Sequence, residues 1–341
     1  MQASLAFHDQ QMPQAPGADF AVHYASPHAA RPLLAQSAHI LGVVGYGIEQ
    51  PDFLPPDRPF IAAPLRPAAG GAMLEIWTSP SPCQPCQVGP VKGAHGGGLA
   101  FGAIKLDETK STSLEAAVAA AYSDIFDFMD GAGFETPIRF WNYLTSITSH
   151  DQGLERYRRF NIGRHRAFSA RLRQPLPPVA SGVGGQHGAS MIYFLAAHEP
   201  ASPIENPRQI SAYAYPPLYG PRSPSFSRAS IHRQGGSQAL FISGTASIVG
   251  HETRHSGDLH GQIAETAANL RALISTAAQA ASAPLNGAWA VKIYVHNPAY
   301  CPAVAPAIDT VFGANCQRLY LRGDICRPEL LVEIEAFWRS T

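Results

Sequence analysis

A five-residue segment, His251-Glu-Thr-Arg-His255, has the H-E-x-x-H pattern of zinc-dependent hydrolases. That chemistry needs two histidines one helical turn apart, so that both imidazoles face one zinc ion, with the glutamate beside them as the base. A strand-like run at 241–249 and Gly250 precede the segment, and a helical pattern begins only near 259–262. We therefore place it in a strand-to-helix connection, interpret its histidines as turn residues near the mouth of a site, and expect neither a metal nor a cofactor.

A second candidate motif is the C-x-x-C pair formed by Cys83 and Cys86, which alone supplies half of a zinc site or a redox pair. No second pair follows at metal-binding spacing, and the surrounding residues are rich in Pro, Gly and Ser. We interpret the pair as part of an ordinary loop. The total of five cysteines is odd, which fits a reduced compartment better than a disulfide scaffold.

The bulk composition excludes several classes of protein. The 341 residues carry 25 Lys+Arg and 25 Asp+Glu, so the net charge is zero and neither a nucleic acid nor an anionic membrane is an expected partner. The N-terminus has no basic start and no long apolar run, which argues against a secretory signal. We expect a cytoplasmic protein, and at this length two domains.

Alternating strands and helices follow an N-terminal segment, residues 1–35, that we predict to be a loosely ordered arm. In a first domain, 36–220, the patterns predict strands at 75–78, 99–106, 140–147, 191–196 and 209–215, helices at 113–132 and 152–172, and a flexible turn at 182–188. In a second domain, 221–341, they predict strands at 239–249, 288–295, 318–321 and 331–338 and helices at 260–281 and 303–313. The repeated order predicts an internal duplication.

Several segments of the second domain resemble the RidA/YjgF family, whose units have a chorismate-mutase-like α+β fold and usually form trimers. The resemblance rests on FISGTASIV at 241–249, QIAETAANLRALI at 262–274, VKIYVHN at 291–297, RLYL at 318–321 and VEIEA at 332–336. In that family an arginine on the penultimate strand holds a carboxylate, and the first glutamate of the last strand completes the site. The resemblance assigns these roles to Arg318 and Glu333.

Most of residues 140–341 resembles a narrower group, the chorismatases, which are two-domain RidA-like enzymes sometimes labelled pteridine-dependent dioxygenases. The segments that carry this resemblance are ERYRRFNIGR at 155–164, NPRQISAYAYP at 206–216, YGPRSPSFSRA at 219–229, SGTASIVGHETRH at 243–255 and CRPELLVEIE at 326–335. It implies an enzyme that removes pyruvate from chorismate, with two tandem RidA-like units and no cofactor.

The repeat suggests that only one unit keeps a working site. Aligning 209–215 with 331–337 puts Ser211 opposite Glu333, and the strand at 191–194 has no arginine where the second unit has Arg318. Tyr213 and Tyr215 fall on the same face as Ser211 if the segment is a strand. We expect a site built mainly by the second unit, with walls from the first.

Chorismate carries two carboxylates, which planar guanidinium groups bind well through paired hydrogen bonds. We assign this role to Arg318 and Arg164, with Tyr157, Tyr213 and Tyr215 on the walls. Packing in the core or at the rim is the alternative interpretation of the tyrosines, and a position on a solvated helix face is the alternative interpretation of Arg164. Glu333 would protonate the enol ether if burial raises its pKa. We interpret Glu335, on the same strand face, as a rim carboxylate.

The resemblance also predicts the product. Gly244 and Cys326 occupy positions that distinguish the 3-hydroxybenzoate-forming branch of the chorismatases from the hydrolytic branch. We expect 3-hydroxybenzoate and pyruvate, with 4-hydroxybenzoate as a further product. The alternatives are a hydrolase that forms 3,4-dihydroxycyclohexa-1,5-diene carboxylate, an imine deaminase of the RidA type, and a carboxylate-binding protein without catalysis. A monomer and a homotrimer both fit the resemblance.

Overall fold

The computed structural model describes residues 19–282 and 284–340, and it has the α+β architecture that the resemblance implied, with mixed sheets backed by helices. The α-helices are α1 (Pro27–Gln36), α2 (Leu114–Gly131), α3 (Arg156–Arg171), α4 (Leu259–Ala280) and α5 (Cys301–Phe312). None of the helices in these ranges is long and apolar enough to cross a membrane.

Strands make up most of the remaining regular structure. Those of the first half are β1 (Ala21–Ala25), β2 (Ile40–Tyr46), β3 (Phe60–Ala63), β4 (Arg66–Pro67), β5 (Met73–Thr78), β6 (Gln84–Val88), β7 (Val91–Gly96), β8 (Leu99–Lys105), β9 (Thr136–Thr145), β10 (His150–Asp151) and β11 (Leu154–Glu155). Those of the second half are β12 (Val179–Gly185), β13 (Met191–Ala197), β14 (Ala201–Ile204), β15 (Ala229–Gln234), β16 (Ser237–Thr245), β17 (Ile248–Val249), β18 (Glu252–Thr253), β19 (Ala288–Val295), β20 (Gln317–Arg322), β21 (Asp324–Ile325) and β22 (Val332–Arg339).

Two seven-stranded mixed sheets repeat one topology. Their strand orders are β21-β12-β9-β13-β8-β7-β6 and β4-β20-β19-β22-β16-β15-β14. In both sheets the two central pairs around β13 and around β22 are antiparallel, while β9 with β12 and β19 with β20 are parallel. The strand that corresponds to β22 is therefore β13. The sequence alignment that put Ser211 opposite Glu333 is wrong.

Helices cover the outer faces of these two sheets. Helices α2 and α3 pack on the first sheet and α4 and α5 on the second, each pair around its own apolar cluster. Helix α4 begins where Asp258 accepts a hydrogen bond from the Gly261 amide, and it buries an apolar stripe that includes Ile263, Leu270 and Leu273. The inner faces enclose a third cluster, shared with the N-terminal sheet β1-β5-β2-β3.

The N-terminal arm is a wrong prediction for residues 19–35. Strand β1 pairs along its whole length with β5, and α1 begins at a cap in which the Ser26 hydroxyl accepts from the Ala29 amide. Leu33 and Leu34 are buried against this sheet. The amphipathic pattern of this segment was not recognised because it is short and is interrupted by small residues and prolines. Residues 1–18 lie outside the described residues.

Two segments of the first half also differ from the prediction. Residues 182–188, predicted as a flexible turn, lie largely in β12, which pairs with β9. Residues 209–215, predicted as a strand, form a single bridge at Gln209 and then a 3₁₀ turn over Ala212–Ala214. The first segment was not predicted as a strand because it is rich in glycine. The second was predicted as a strand because its tyrosines alternate with small residues, as side chains of one face do in a strand.

The cysteine pair was predicted to lie in a loop, which is right for Cys83 and wrong for Cys86. Cys86 belongs to β6, the edge strand of a hairpin with β7, and Cys83 precedes it with a buried side chain. Burial raises the pKa of both thiols. All five cysteines are free.

The sheets do not divide at the predicted boundary at residue 220. Strands β4 and β14 precede it but belong to the second long sheet, and β21 follows it but pairs with β12 of the first. The two units are thus joined by exchanged edge strands.

Candidate active site

A cavity of about 260 Å³ opens between the two seven-stranded sheets. The first unit contributes side chains from α3, β9 and β12, and the second contributes β16, the loop before β15 and the segment that leads into β22. Six residues predicted from the sequence line it: Tyr157, Arg164, Tyr215, Gly244, Cys326 and Glu333. Residues that the prediction missed also line it, among them Asn142, Ser181, Tyr219, Arg228 and Arg327. This volume suits one small molecule.

Glu333 is the most buried of three carboxyl groups that line the cavity, the others being the partly buried Glu155 and Glu329. It lies on β22 with 4% of its surface exposed, and no ion pair or hydrogen bond joins it to another described residue. Burial, and next the negative charge of Glu335, raise the pKa of Glu333 to about 8, although Arg139 and Arg228 act against the shift. A carboxyl group with this pKa is protonated near neutral pH and has a proton to give.

Glu335 is not the rim carboxylate that was predicted, because it is 3% exposed. Its oxygens accept hydrogen bonds from the Trp141 indole at 2.6 Å and the Ser181 hydroxyl at 2.5 Å. It also pairs with Arg139 at 2.7 Å and Lys292 at 2.9 Å. Burial by itself raises its pKa, but Lys292 and then Arg139 outweigh burial and lower the pKa to about 2. Glu335 is therefore a fixed anion.

Gly244 and Ser181 form the floor between the two carboxyl groups. The Gly244 amide donates to the Ser181 hydroxyl oxygen at 3.0 Å, and the Ser181 hydroxyl donates to Glu335. A Cβ atom on Gly244 would overlap the Glu333 carboxyl, and it would lie 2.6 Å from its Cδ atom. The absent side chain makes room first for Glu333 itself, a reason that the sequence did not suggest.

Arg164 is a buried cation without a counter-ion in the described structure. It is 2% exposed, and its Nε and one terminal nitrogen have no hydrogen-bond partner. Its guanidinium lies 4.7 Å from the ring centre of Phe168 and 5.5 Å from that of Tyr122. Burial lowers its pKa. Unpaired donors at the wall of a cavity are a binding position for an anion, because an uncompensated buried charge is costly.

Arg228 is a second cation of the cavity, and the sequence analysis missed it. Its guanidinium donates to the Tyr215 hydroxyl at 2.8 Å and to the Ile210 carbonyl at 2.9 Å, while its Nε has no partner. Phe226 lies below it at 5.1 Å. Arg228 lies within the segment 219–229 that carried the resemblance, so a basic residue entering a strand there was an available signal.

The mouth of the cavity is aromatic and basic. The Arg327 guanidinium lies 4.2 Å from the ring centre of Tyr219, whose hydroxyl is 3.1 Å from Nδ1 of His251.

His251 is therefore near the site mouth, in the β17–β18 hairpin, and no helix holds the H-E-x-x-H segment. His255 has a φ of 57° and pairs with Glu265 at 3.4 Å. The turn interpretation is confirmed, and within 19–282 and 284–340 no cluster of three potential metal ligands occurs.

Two predicted site residues are not in the cavity. Arg318, on β20, forms an ion pair with Asp309 and donates to the carbonyl of Ala314 at 3.0 Å, so it serves the end of α5. Tyr213 lies in the 3₁₀ turn, where the spacing of two residues no longer puts it beside Tyr215. The role of carboxylate clamp assigned to Arg318 is therefore not supported by the geometry.

Tyr157 and Cys326 complete the wall around Glu333. The Tyr157 ring packs over Gly182, where a Cβ atom would lie 3.1 Å from the ring. Burial raises the Tyr157 pKa well above its usual value, so its hydroxyl keeps its proton. Burial, and next the charge of Glu333, raise the pKa of Cys326 to about 12. Neither group is ionised near neutral pH, so these two walls around Glu333 are neutral.

Comparisons with known proteins show which family this chain resembles. A family model described as "Chorismatase FkbO/Hyg5-like, N-terminal" matches residues 75–196. A 3-hydroxybenzoate synthase of Streptomyces hygroscopicus is 35% identical over 311 residues, 87% of this chain and 91% of that protein. A chorismatase of Streptomyces rapamycinicus is 34% identical over 275 residues, 77% of this chain and 81% of that protein.

A solved structure agrees over nearly the whole length. A crystal structure of a chorismatase superposes with a TM-score of 0.81 at 29% identity, covering 94% of this chain and 98% of the other. The resemblance noted from the segments between 140 and 341 is confirmed, and it extends through the N-terminal part that those segments did not include. This chain belongs to the chorismatase family.

Proposed function

We propose that this protein is a lyase that converts chorismate to pyruvate and 3-hydroxybenzoate. One observation carries the proposal: a buried carboxyl group without a cationic partner, Glu333, shares a small cavity with Arg164, a buried guanidinium that also has none. A carboxyl group that keeps its proton can protonate a substrate, and unpaired guanidinium donors can bind an anion. Together they fit an acid-catalysed reaction of an anionic substrate. The name of the relative with 35% identity supports the same product.

The two carboxylates of chorismate need two cationic positions. We assign them to Arg164 on α3 and Arg228 before β15, because both guanidinium groups line the cavity and both keep unpaired donors. Arg228 takes the role that the sequence gave to Arg318. Its orientation is fixed by the Tyr215 hydroxyl and the Ile210 carbonyl, so little freedom is lost on binding.

Glu333 starts the reaction by giving its proton to the methylene carbon of the enolpyruvyl group. The ether oxygen then shares the positive charge as an oxocarbenium ion. The neighbouring ring hydroxyl attacks the ring carbon that holds the ether, the carbon–oxygen bond breaks, and its electrons stay with the oxygen of the departing pyruvate. The hydroxyl proton returns to Glu333, which restores the acid. The atoms of chorismate are now divided between pyruvate and a ring epoxide, and no water is consumed.

Opening of the epoxide gives the aromatic product. Cleavage of the bond to the carbon that first carried the hydroxyl leaves oxygen at position 3, and one ring hydrogen is lost as a proton while the ring becomes aromatic. Cleavage of the other bond gives 4-hydroxybenzoate, which we expect as a minor product. The wall near Glu333 offers Gly244 and the neutral thiol of Cys326, which are poor groups for orienting a water. This favours the internal path over hydrolysis.

We place this reaction in the cytoplasm, a location supported by five free cysteines. Every side chain used in the proposal belongs to one chain, so the proposed site needs no second copy and applies to a monomer and a homotrimer alike.

The test is incubation with chorismate, an enzymatic assay for pyruvate, and chromatographic separation of the aromatic products. We expect equal amounts of pyruvate and hydroxybenzoate, mainly the 3-isomer. The dihydroxycyclohexadiene acid as the major product would contradict the branch, and chorismate left intact by folded protein would contradict the function.

A further inference from the structure

Four charged side chains form a continuous network of ion pairs between the layers, beside the cavity. The Lys292 ammonium pairs with Glu75 at 3.0 Å and with Glu335 at 2.9 Å, and Arg139 pairs with Glu335 at 2.7 Å. All four groups are at most 3% exposed. Two carboxylates balance two cations, so the network is neutral and each of its charges is held in place.

Glu335 is the member of this network nearest to the proposed acid. Glu333 and Glu335 lie two residues apart on β22, on one face of the strand, with about 7 Å between their α-carbons. Their partners on β19 are Tyr294 and Lys292. The cations of the network are thus in contact with Glu335 and not with Glu333, which has no ion pair among the described residues.

Ser181 links the two carboxyl groups mechanically. Its hydroxyl donates to Glu335 at 2.5 Å and accepts from Arg139 at 2.7 Å and from the Gly244 amide at 3.0 Å. Gly244 in turn lies directly against the Glu333 carboxyl. The position of Glu335 therefore fixes the surface on which Glu333 rests.

We propose that Glu335 is a positioning residue that acts through Glu333: its fixed negative charge keeps the neighbouring carboxyl protonated, and its hydrogen bond to Ser181 holds the floor beneath it. The catalytic consequence of this inference rests on the proposed function. The protonation of Glu333 does not, and it can be measured without turnover.

Other groups that face Glu333 modify this effect. The titratable and charged side chains around it are Glu335 on β22, Tyr294 on β19, Arg139 on β9, Glu155 before α3, Tyr157, Arg158 and Arg164 on α3, Tyr215, Tyr219 and Arg228 from the segment before β15, and Cys326, Arg327 and Glu329 before β22. Burial is the largest cause of the raised pKa of Glu333, and Glu335 is the next. Arg139 and Arg228 lower it. Loss of the Glu335 charge should therefore lower the pKa of Glu333, because these two cations would no longer be opposed by that charge.

The direct test follows the Glu333 carboxyl by ¹³C NMR in protein labelled at the glutamate δ-carbon, with Glu333→Gln used to assign the signal. In the unchanged protein we expect titration near pH 8. In Glu335→Gln, which keeps the shape and removes the charge, the midpoint should fall by about one to two pH units. Glu75→Gln is the matched control, because it removes the same charge from the same network one ion pair further away. It should shift the midpoint much less.

An unmoved midpoint in Glu335→Gln, or an equal shift in Glu75→Gln, overturns the inference. If Glu335→Gln does not fold, Glu335→Gln/Arg139→Met removes one ion pair and leaves the Lys292–Glu75 pair intact, which a buried site tolerates better than a single loss. The midpoint should again fall, and an unchanged value would count against the charge of Glu335.

Kinetics add a readout that a purely structural role would not move. In Glu335→Gln the fall of kcat at high pH should begin at lower pH, with most of the rate kept at low pH. A uniform loss at every pH would overturn the role assigned to Glu335. Absence of pyruvate release from the unchanged protein would contradict the proposed function alone, and the NMR titration would still decide the inference.

Discussion

The Glu333 carboxyl lies against the α-carbon of Gly244, in the space that any side chain at that position would fill. The two residues come from neighbouring strands, β22 and β16, where the pairing is irregular between Ile242 and Thr245. The Gly244 amide is also held by Ser181 of the first unit. The proposed acid is thus placed by both halves of the duplicated fold.

Gly244→Ala should displace the acid. The added methyl group overlaps the Glu333 carboxyl, which is the far end of a flexible side chain and moves away at modest cost to stability. A shift of about 1 Å in a reacting group lowers kcat by about 100-fold. We expect a large loss of kcat, a larger share of the dihydroxy acid, and a nearly unchanged melting temperature. Product analysis with unaltered rate and product ratio would contradict this account.

Glu333→Gln removes the transferable proton and keeps the shape of the side chain. General acid catalysis contributes roughly 100- to 10,000-fold, and kcat for pyruvate release should fall by that amount with KM largely kept. Steady-state kinetics with chorismate provide the measurement. A variant that retains more than about a tenth of the rate would move the acid to another group.

The raised pKa of Glu333 predicts the pH dependence of the reaction. The protonated form is the active one, so kcat should be constant below the pKa and fall as the pH rises through about 8. An acid with an ordinary pKa would lose its proton near pH 4 to 5, so kcat would already be low at neutral pH and would show no decrease near pH 8. The kcat profile between pH 5 and 10 distinguishes the two, and a rate that increases from pH 6 to 9 would contradict an acid role.

Arg164→Met should weaken substrate binding without lowering the stability of the folded protein. It removes donors that the free protein leaves unpaired, so KM should rise by about 10- to 100-fold, as expected for hydrogen bonds to a charged group. The melting temperature without substrate should stay the same or increase, because a buried charge is lost. Arg318→Ala is the control, since that side chain pairs with Asp309 outside the cavity. A rise in KM for Arg318→Ala alone would restore the clamp that the sequence suggested.

Elements whose apolar residues follow one clear period were predictable from the sequence. Helix α4 was predicted at 260–281 and lies at Leu259–Ala280, because Ile263, Leu270 and Leu273 form a single apolar stripe. Strand β12 was not predictable, because three of the five residues in its Ser-Gly-Val-Gly-Gly segment are glycines, which are depleted in strands. Its glycines have a packing reason, since Gly182 admits the Tyr157 ring and Gly185 admits Pro64.

The types of site residue were predictable, and their partners were not. Glu333 follows from the resemblance, but Arg318 and Arg228 are both arginines next to strands. Only the tertiary structure shows that one serves the end of α5 and the other the cavity. Glu335 was expected at the rim because nothing in one sequence reveals Arg139 and Lys292, some 196 and 43 residues earlier in the chain, as its buried partners.

Turnover of chorismate in D₂O tests the central claim most directly. Pyruvate is trapped at once as lactate by lactate dehydrogenase, and its methyl group is analysed by mass spectrometry. Transfer of one proton from Glu333 to the methylene carbon predicts one solvent deuterium per methyl group, with 3-hydroxybenzoate released in equal amount. Pyruvate without that deuterium, or no pyruvate from folded protein, would contradict protonation of the enol ether as the step that this site performs.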